Sequence, residues 1–243
     1  MIVYPINWNR NYEELSIPEK SIEVDIIKIV NIIHDILKDI KIFDLAYSGG
    51  IDSTLMLLFL SEFGRNINTY TISIRETHPD IKFARIGSSF FNSNHKEFIV
   101  QETTKEIDKF KGDNAVRQFF ENVQKYTNSI ICCDGIDEFM CGYYDHISMP
   151  QERYQYYLSR LLPEHLIPLN ANSGKVKVYL PYLDDRLVNI LRNIIINKKV
   201  ENEIRKKIMV DIGYYYSQSG SFPEEIIIRN KYGFCDAFIK EDK

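Results

Sequence analysis

The stretch Tyr47-Ser48-Gly49-Gly50-Ile51-Asp52-Ser53 decides how this chain is read. An apolar run, Ile42-Phe43-Asp44-Leu45-Ala46, leads into it, and a second, Thr54-Leu55-Met56-Leu57-Leu58-Phe59-Leu60, leads out. Such an order predicts a buried strand, a tight turn and a helix. Adjacent glycines let backbone N–H groups approach a ligand, since no Cβ blocks the way. Those N–H groups and the positive end of the following helix favour a phosphate or pyrophosphate. Ser48, Ser53 and Thr54 add hydroxyl donors. Asp52 alone would repel an anion; it makes sense as a carrier of Mg²⁺, which is commonly held by one or two carboxylates together with phosphate oxygens. The pattern G-x-x-x-x-G-K-[ST] is absent, so this is not the common γ-phosphate loop.

Outward from the turn, Ile26, Ile29, Val30, Ile33, Ile36, Leu37 and Ile40 recur at helical spacing, while residues 1–20 read as irregular. The β-branched run 67–74 reads as a strand, 80–91 as a helix, 96–100 as a short strand, 111–126 as a helix and 129–133 as a fourth strand. This alternation predicts an α/β fold: an open, mostly parallel sheet with flanking helices and ligands at the carboxyl ends of its strands. Later segments read as helices, as where Tyr154, Tyr157, Leu158 and Leu161 share a face. The expected organisation is an N-terminal segment and helix over 1–40, a nucleotide-binding α/β region over 41–146 and a small C-terminal helical lobe over 147–243.

Composition narrows the partners. The 243 residues carry a net charge of −4 and are 44% hydrophobic, enough for a full core. Nucleic-acid binders usually show a basic excess, which is missing here. No apolar run approaches the length of a membrane span, and the opening MIVYPINWNR lacks the order of a signal peptide. Cys132, Cys133, Cys141 and Cys235 form no metal-binding spacing and read as reduced thiols of a cytoplasmic protein.

The string SGGIDS resembles the pyrophosphate-binding loop of the ATP pyrophosphatase (PP-loop) group, and three further stretches resemble asparagine synthetase within it. CDGIDEFMCGYYDH (133–146) matches at Gly135, Asp137, Glu138, Gly142 and Tyr143; YLPYLDDRLV (179–188) and FPEEIIIRNKYGF (222–234) match two later motifs. The resemblance implies ATP and Mg²⁺ as cofactors and a ligase that adenylates a carboxylate, releases pyrophosphate and transfers ammonia or an amine to the acyl group. It implies that Ser48, Gly49, Gly50, Asp52, Ser53, Thr54, Ser73, Ile74, Gly135 and Arg229 bind ATP or pyrophosphate. Asp52 and Asp137 would hold Mg²⁺. Lys231 and Asp134 would be catalytic, Lys231 by stabilising charge on the phosphates. Asp134 stands where the family has glutamate, one methylene longer, a difference of about 1.5 Å. Pro181, Leu183, Gly233 and Phe234 read as packing, the cysteines as buried apolar groups, and His146 as structural.

Two departures bear on the substrate. Residue 2 is Ile rather than the cysteine of a glutaminase domain, so ammonia or an amine is expected free or from a separate glutaminase or amine-supplying protein. Residues 147–178 form a shorter acceptor region than in the family, and Tyr179 replaces an arginine. The acceptor is thus expected to be a small-molecule or peptide carboxylate, not necessarily aspartate, with neither membrane nor nucleic acid involved; a homo-oligomer is left open. The other readings are a PP-loop nucleotide-modifying or thiolation enzyme and a non-catalytic ATP-binding subunit.

Overall fold

The computed structural model describes residues 1–19, 21–106, 108–109 and 112–229. Among them six strands form one parallel sheet: β1 (Ile2–Tyr4), β2 (Asp44–Ala46), β3 (Asn68–Ser73), β4 (Asn94–Ile99), β5 (Ser129–Ile131) and β6 (Lys177–Tyr179), in the order β1-β6-β5-β2-β3-β4. The helices are α1 (Ile26–Ile40), α2 (Ile51–Ser61), α3 (Pro79–Phe90), α4 (Asp113–Val123), α5 (Ile136–Phe139), α6 (Asp145–Ser148), α7 (Pro150–Arg160), α8 (Ile167–Asn172), α9 (Asp185–Leu191), α10 (Lys207–Ser217) and α11 (Glu224–Ile227). The four strands and four helices expected between residues 26 and 133 are present, with ends shifted by a few residues.

Two strands differ from expectation. Ile2–Tyr4 lies in the stretch read as irregular, and Lys177–Tyr179 in the region read as helical. Each has three residues, too few for a period-two pattern to stand out. They pair with each other and extend the sheet beyond β5.

Helix α1 packs on α2 and α10, and α4 on α8. Asp25 caps α1 through the Lys28 N–H at 2.9 Å, and Ile29, Val30, Ile33, Ile36 and Leu37 form its buried face. Helix α2 has no polar face: every residue from Ser53 to Leu60 is buried. It is the inner helix of its layer, which suits a run apolar on all sides. After α7 the chain widens into a π-helical turn, Leu161–Leu166, around Pro163, whose ring removes a donor and crowds the preceding turn.

The order of strands reverses between β2 and β5. From β2 the chain moves outward to β3 and β4, then returns to β5 on the opposite side. The crevice at the carboxyl ends of these two strands is where open α/β sheets bind ligands.

Candidate active site

The glycine turn leaves β2 at this crevice. Gly49 has φ +66°, and a Cβ there would strike the backbone of Phe83 and Ala84 in α3. Gly50 is the N-cap of α2, with φ −76°. The first helical bond, Thr54 N–H to Gly50 O, is 2.9 Å long, so the N–H groups of Ile51, Asp52 and Ser53 lie ahead of the helical ladder. Ser48 Oγ accepts the Gly50 N–H at 3.3 Å and lies 3.3 Å from Ser53 Oγ. Thr54 departs from its expected role as a ligand contact: it is fully buried, its hydroxyl donating to Gly50 O at 2.8 Å and lying 3.1 Å from Tyr47 Oη. Its place in the first turn of an enclosed helix turns it inward, where it braces the turn.

The second wall leaves β5 through Cys132, Cys133 and Asp134 into Gly135, the N-cap of α5, with φ +91°. A Cβ at Gly135 would overlap the side chain of Leu183, so the motif 179–188 packs directly against this loop. Tyr182 of the same motif is fully buried and donates its hydroxyl to the Asp52 carbonyl at 2.9 Å.

Asp52 and Asp137 meet on one ammonium. Lys206 Nζ lies 2.6 Å from Asp137 Oδ1 and is paired with Asp52 Oδ2 as well. Burial opposes the lysine charge, but Asp137 and Asp52 outweigh it and raise the amine well above the usual lysine range. Lys206 is buried and precedes α10 with φ 52°, a left-handed backbone that costs an L-residue roughly 1–2 kcal/mol. Gly142 closes over the pair, since a Cβ there would run into Asp137 and into Lys206 Cε. Arg205 Nη1 donates to the Gly142 carbonyl at 2.7 Å, and its guanidinium carbon Cζ lies 3.6 Å from the Tyr144 ring centre. Sequence reasoning did not find Lys206; the signal was two lysines, 206 and 207, at a helix start, where positive charge opposes the dipole.

Two carboxylates that share one ammonium nitrogen are close enough to share a small divalent cation. Asp52 Oδ1 is buried and has no hydrogen-bond partner among the described residues. No group of three or more His, Cys, Asp or Glu among the described residues could hold a metal ion. Two carboxylates this close could take one or two places on a Mg²⁺ ion whose other ligands came from phosphate oxygens and water.

Beside this pair, burial pushes the Asp134 carboxyl up to about 6, with the His165 charge opposing and Glu138 and Asp137 adding. Tyr143 Oη donates to Glu138 Oε1 at 2.6 Å and stacks on Tyr157 with ring centres 3.9 Å apart. His146 is fully buried, its Nδ1 accepting the Tyr143 N–H at 3.1 Å, in keeping with a structural role. Burial raises the thiols of Cys132 and Cys133 well above their usual range, so they stay protonated.

Other expected contacts fall differently. Arg229 points into protein: its buried guanidinium pairs with Asp80, also buried, and donates to Ser48 O at 3.2 Å. It secures the glycine turn from behind, because the Asp80 carboxylate at the start of α3 neutralises it. Ser73 ends β3, fully buried, with its carbonyl accepting the Val100 N–H at 2.9 Å. Ile74 is the first residue past that strand, at the same edge as the turn. Lys231, Gly233, Phe234 and Cys235 lie outside the described residues.

The family model described as asparagine synthase matches residues 46–110, from the end of β2 through the glycine turn to beyond β4. Among solved structures, the chain is similar to NMN synthetase from Francisella tularensis, at 12% identity and a TM-score of 0.47, over 96% of this chain and 79% of that one. No curated protein matches the chain. Among the described residues no helix is long and apolar enough to cross a membrane.

Proposed function

We propose that the chain is an ATP-dependent ligase of the asparagine synthetase type, which adenylates a carboxylate and passes the acyl group to ammonia or an amine. One observation carries this reading: Asp52 and Asp137, in the first turns of the helices that follow β2 and β5, converge on a single ammonium at the switch point of the sheet. The match over residues 46–110 supports it. The glycine turn faces the triphosphate, with the N–H groups of Ile51, Asp52 and Ser53 and the Ser48 hydroxyl as donors. Ile74 lies where an adenine would meet backbone groups. Asp52 and Asp137 would hold Mg²⁺, which would supply charge neutralisation to the phosphates and to the pyrophosphate leaving group.

In the first step an oxygen of the acceptor carboxylate forms a bond to the α-phosphorus, and the bond from that phosphorus to the bridging oxygen breaks. The electron pair leaves with pyrophosphate. In the second, the amine nitrogen bonds to the acyl carbon, AMP departs with the carbon–oxygen electron pair, and the nitrogen loses a proton. Asp134, with its carboxyl near 6, can take that proton close to neutrality. Tyr143, Glu138 and Tyr157 form the wall nearest the acceptor. Lys206 and, in the same role, Lys231 supply the positive charge that the departing pyrophosphate requires. The protein acts in the cytoplasm on a small-molecule or peptide carboxylate.

The test is AMP and pyrophosphate release from ATP–Mg²⁺ with ammonia and pools of carboxylic acids, beginning with aspartate. Asp52→Asn and Lys231→Ala run alongside. AMP that depends on one acid and is lost in both variants supports the ligase. AMP formed only with RNA or DNA turns the reading to a nucleotide-modifying enzyme, and intact bound ATP with every pool turns it to a binding subunit.

A further inference from the structure

We infer that Lys206 is a built-in placeholder for the metal, so that a divalent cation enters between Asp52 and Asp137 only together with a nucleotide. The inference rests on the reading that these two acids receive the metal of an ATP complex.

Four features of the site lead to it. The Lys206 ammonium already bridges Asp137 Oδ1, at 2.6 Å, and Asp52 Oδ2. A divalent ion that used both acids would meet this fixed charge within bonding distance, and the two cations would repel. The lysine is not a mobile surface group, because its side chain is 5% exposed and Gly142 and Asp137 enclose it. Its left-handed backbone, φ 52°, holds the stem in this direction. Of the two carboxylate oxygens that Lys206 does not contact, Asp52 Oδ1 is buried without a partner among the described residues, and such an oxygen is a weak seat for a metal that needs several ligands.

A triphosphate changes the balance. It brings anionic oxygens to which the ammonium can turn and which complete the metal's ligands. Lysine and metal then exchange partners: the metal takes the carboxylates as the ammonium turns to phosphate, and no charge is left buried alone. Metal and nucleotide therefore bind with strong positive coupling, by the reciprocity that binding free energies must obey.

The experiment follows Mn²⁺ by its electron paramagnetic resonance signal on the full chain, with and without an ATP analogue whose α–β bridge is methylene. Lys206→Met and Lys206→Gly are compared with the unaltered protein; glycine suits the left-handed backbone, and near-ultraviolet circular dichroism reports folding. Without nucleotide, the unaltered protein is expected to leave Mn²⁺ free. At least one folded variant is expected to bind one Mn²⁺ about tenfold tighter or more, as loss of a competing charge-assisted contact implies. Adding Asp52→Asn to that variant is expected to remove the gain. Nucleotide-free Mn²⁺ binding by the unaltered protein as tight as with the analogue would overturn the inference, and so would equal affinity in all three proteins. Failure of the parent reading looks different: the unaltered protein would take up no Mn²⁺ even with the analogue present.

Discussion

The Tyr182 hydroxyl donates to the main-chain carbonyl of Asp52 at 2.9 Å, joining residues 130 positions apart. Through this contact the short turn after β6 fixes the first turn of α2, and with it the height of the Asp52 carboxylate. Tyr182→Phe keeps the ring and deletes the donor. It is expected to lower stability by about 1 kcal/mol, read as a fall in the urea midpoint. The affinity for ATP–Mg²⁺ is expected to fall with it, because the carboxylate loses its anchor. An unchanged midpoint and unchanged affinity would remove Tyr182 from the site.

The two glycines of the turn separate folding from binding. Gly49→Ala places a Cβ against the backbone of α3 and forces alanine to φ +66°; the left-handed backbone alone costs about 1–3 kcal/mol. Gly50→Ala meets only Ser48 Oγ, at 3.2 Å, on an ordinary backbone. Thermal unfolding is expected to show a large loss for the first and little change for the second. On the ligase reading, nucleotide titration is expected to show a clear loss for Gly50→Ala in a folded protein, because its Cβ would narrow the approach of a phosphate to the turn.

Asp134 makes stability depend on pH. Burial raises its carboxyl from an ordinary value near 3.9 to about 6. The folded state thus binds the proton more tightly than the unfolded state, and stability falls as pH rises from about 4 to 6. Asp134→Asn removes this fall. Urea unfolding is expected to find the variant more stable than the unaltered protein at pH 7, with the difference closing below pH 4. If Asp134 is the base of the second step, amide formation in the unaltered protein rises with an apparent pKa near 6, and the asparagine variant loses that limb.

Arg229 and Asp80 form a nearly buried ion pair, each side chain 4% exposed. Removing one partner breaks a buried pair, a loss of about 3–5 kcal/mol. Arg229→Met and Asp80→Leu are each expected to be severe, and their combination milder than the sum. A double-mutant cycle of unfolding free energies measures the coupling; additive losses would mean the pair is not a unit.

Much of this architecture could be read from residues alone. The run 42–60 carried strand, turn and helix because its apolar residues are contiguous and its glycines adjacent. Asp137 was placed beside Asp52 by motif order, and the two do converge. Three things stayed hidden, each for a physical reason. Strands β1 and β6 have three residues apiece, so nothing in their pattern separates them from loop. Lys206 reaches the acids from a loop 154 positions after Asp52, and a single lysine among many carries no local mark beyond its awkward place at a helix start. Thr54 was read as a ligand contact from its residue type and Arg229 from its place in a motif, yet both side chains are buried against protein, since neither residue type nor motif position reveals orientation.

The pairing of β1 with β6 also sets a timetable for synthesis. Ile2–Tyr4 leaves the ribosome long before its partner, Lys177–Tyr179, has been made. At about 5–20 residues per second this is a wait of roughly ten to thirty-five seconds. Lys206 is made later still, so Asp52 and Asp137 pass through a stage in which both acids are present and their cation is not. Until β6 is made, the strand edges of β5 and β1 stand open, and parallel pairings of such long separation form slowly. The nascent chain is therefore most exposed to misassembly before β6 is made, and the arrival of Lys206 neutralises the acid pair only after the sheet has gained its last strand.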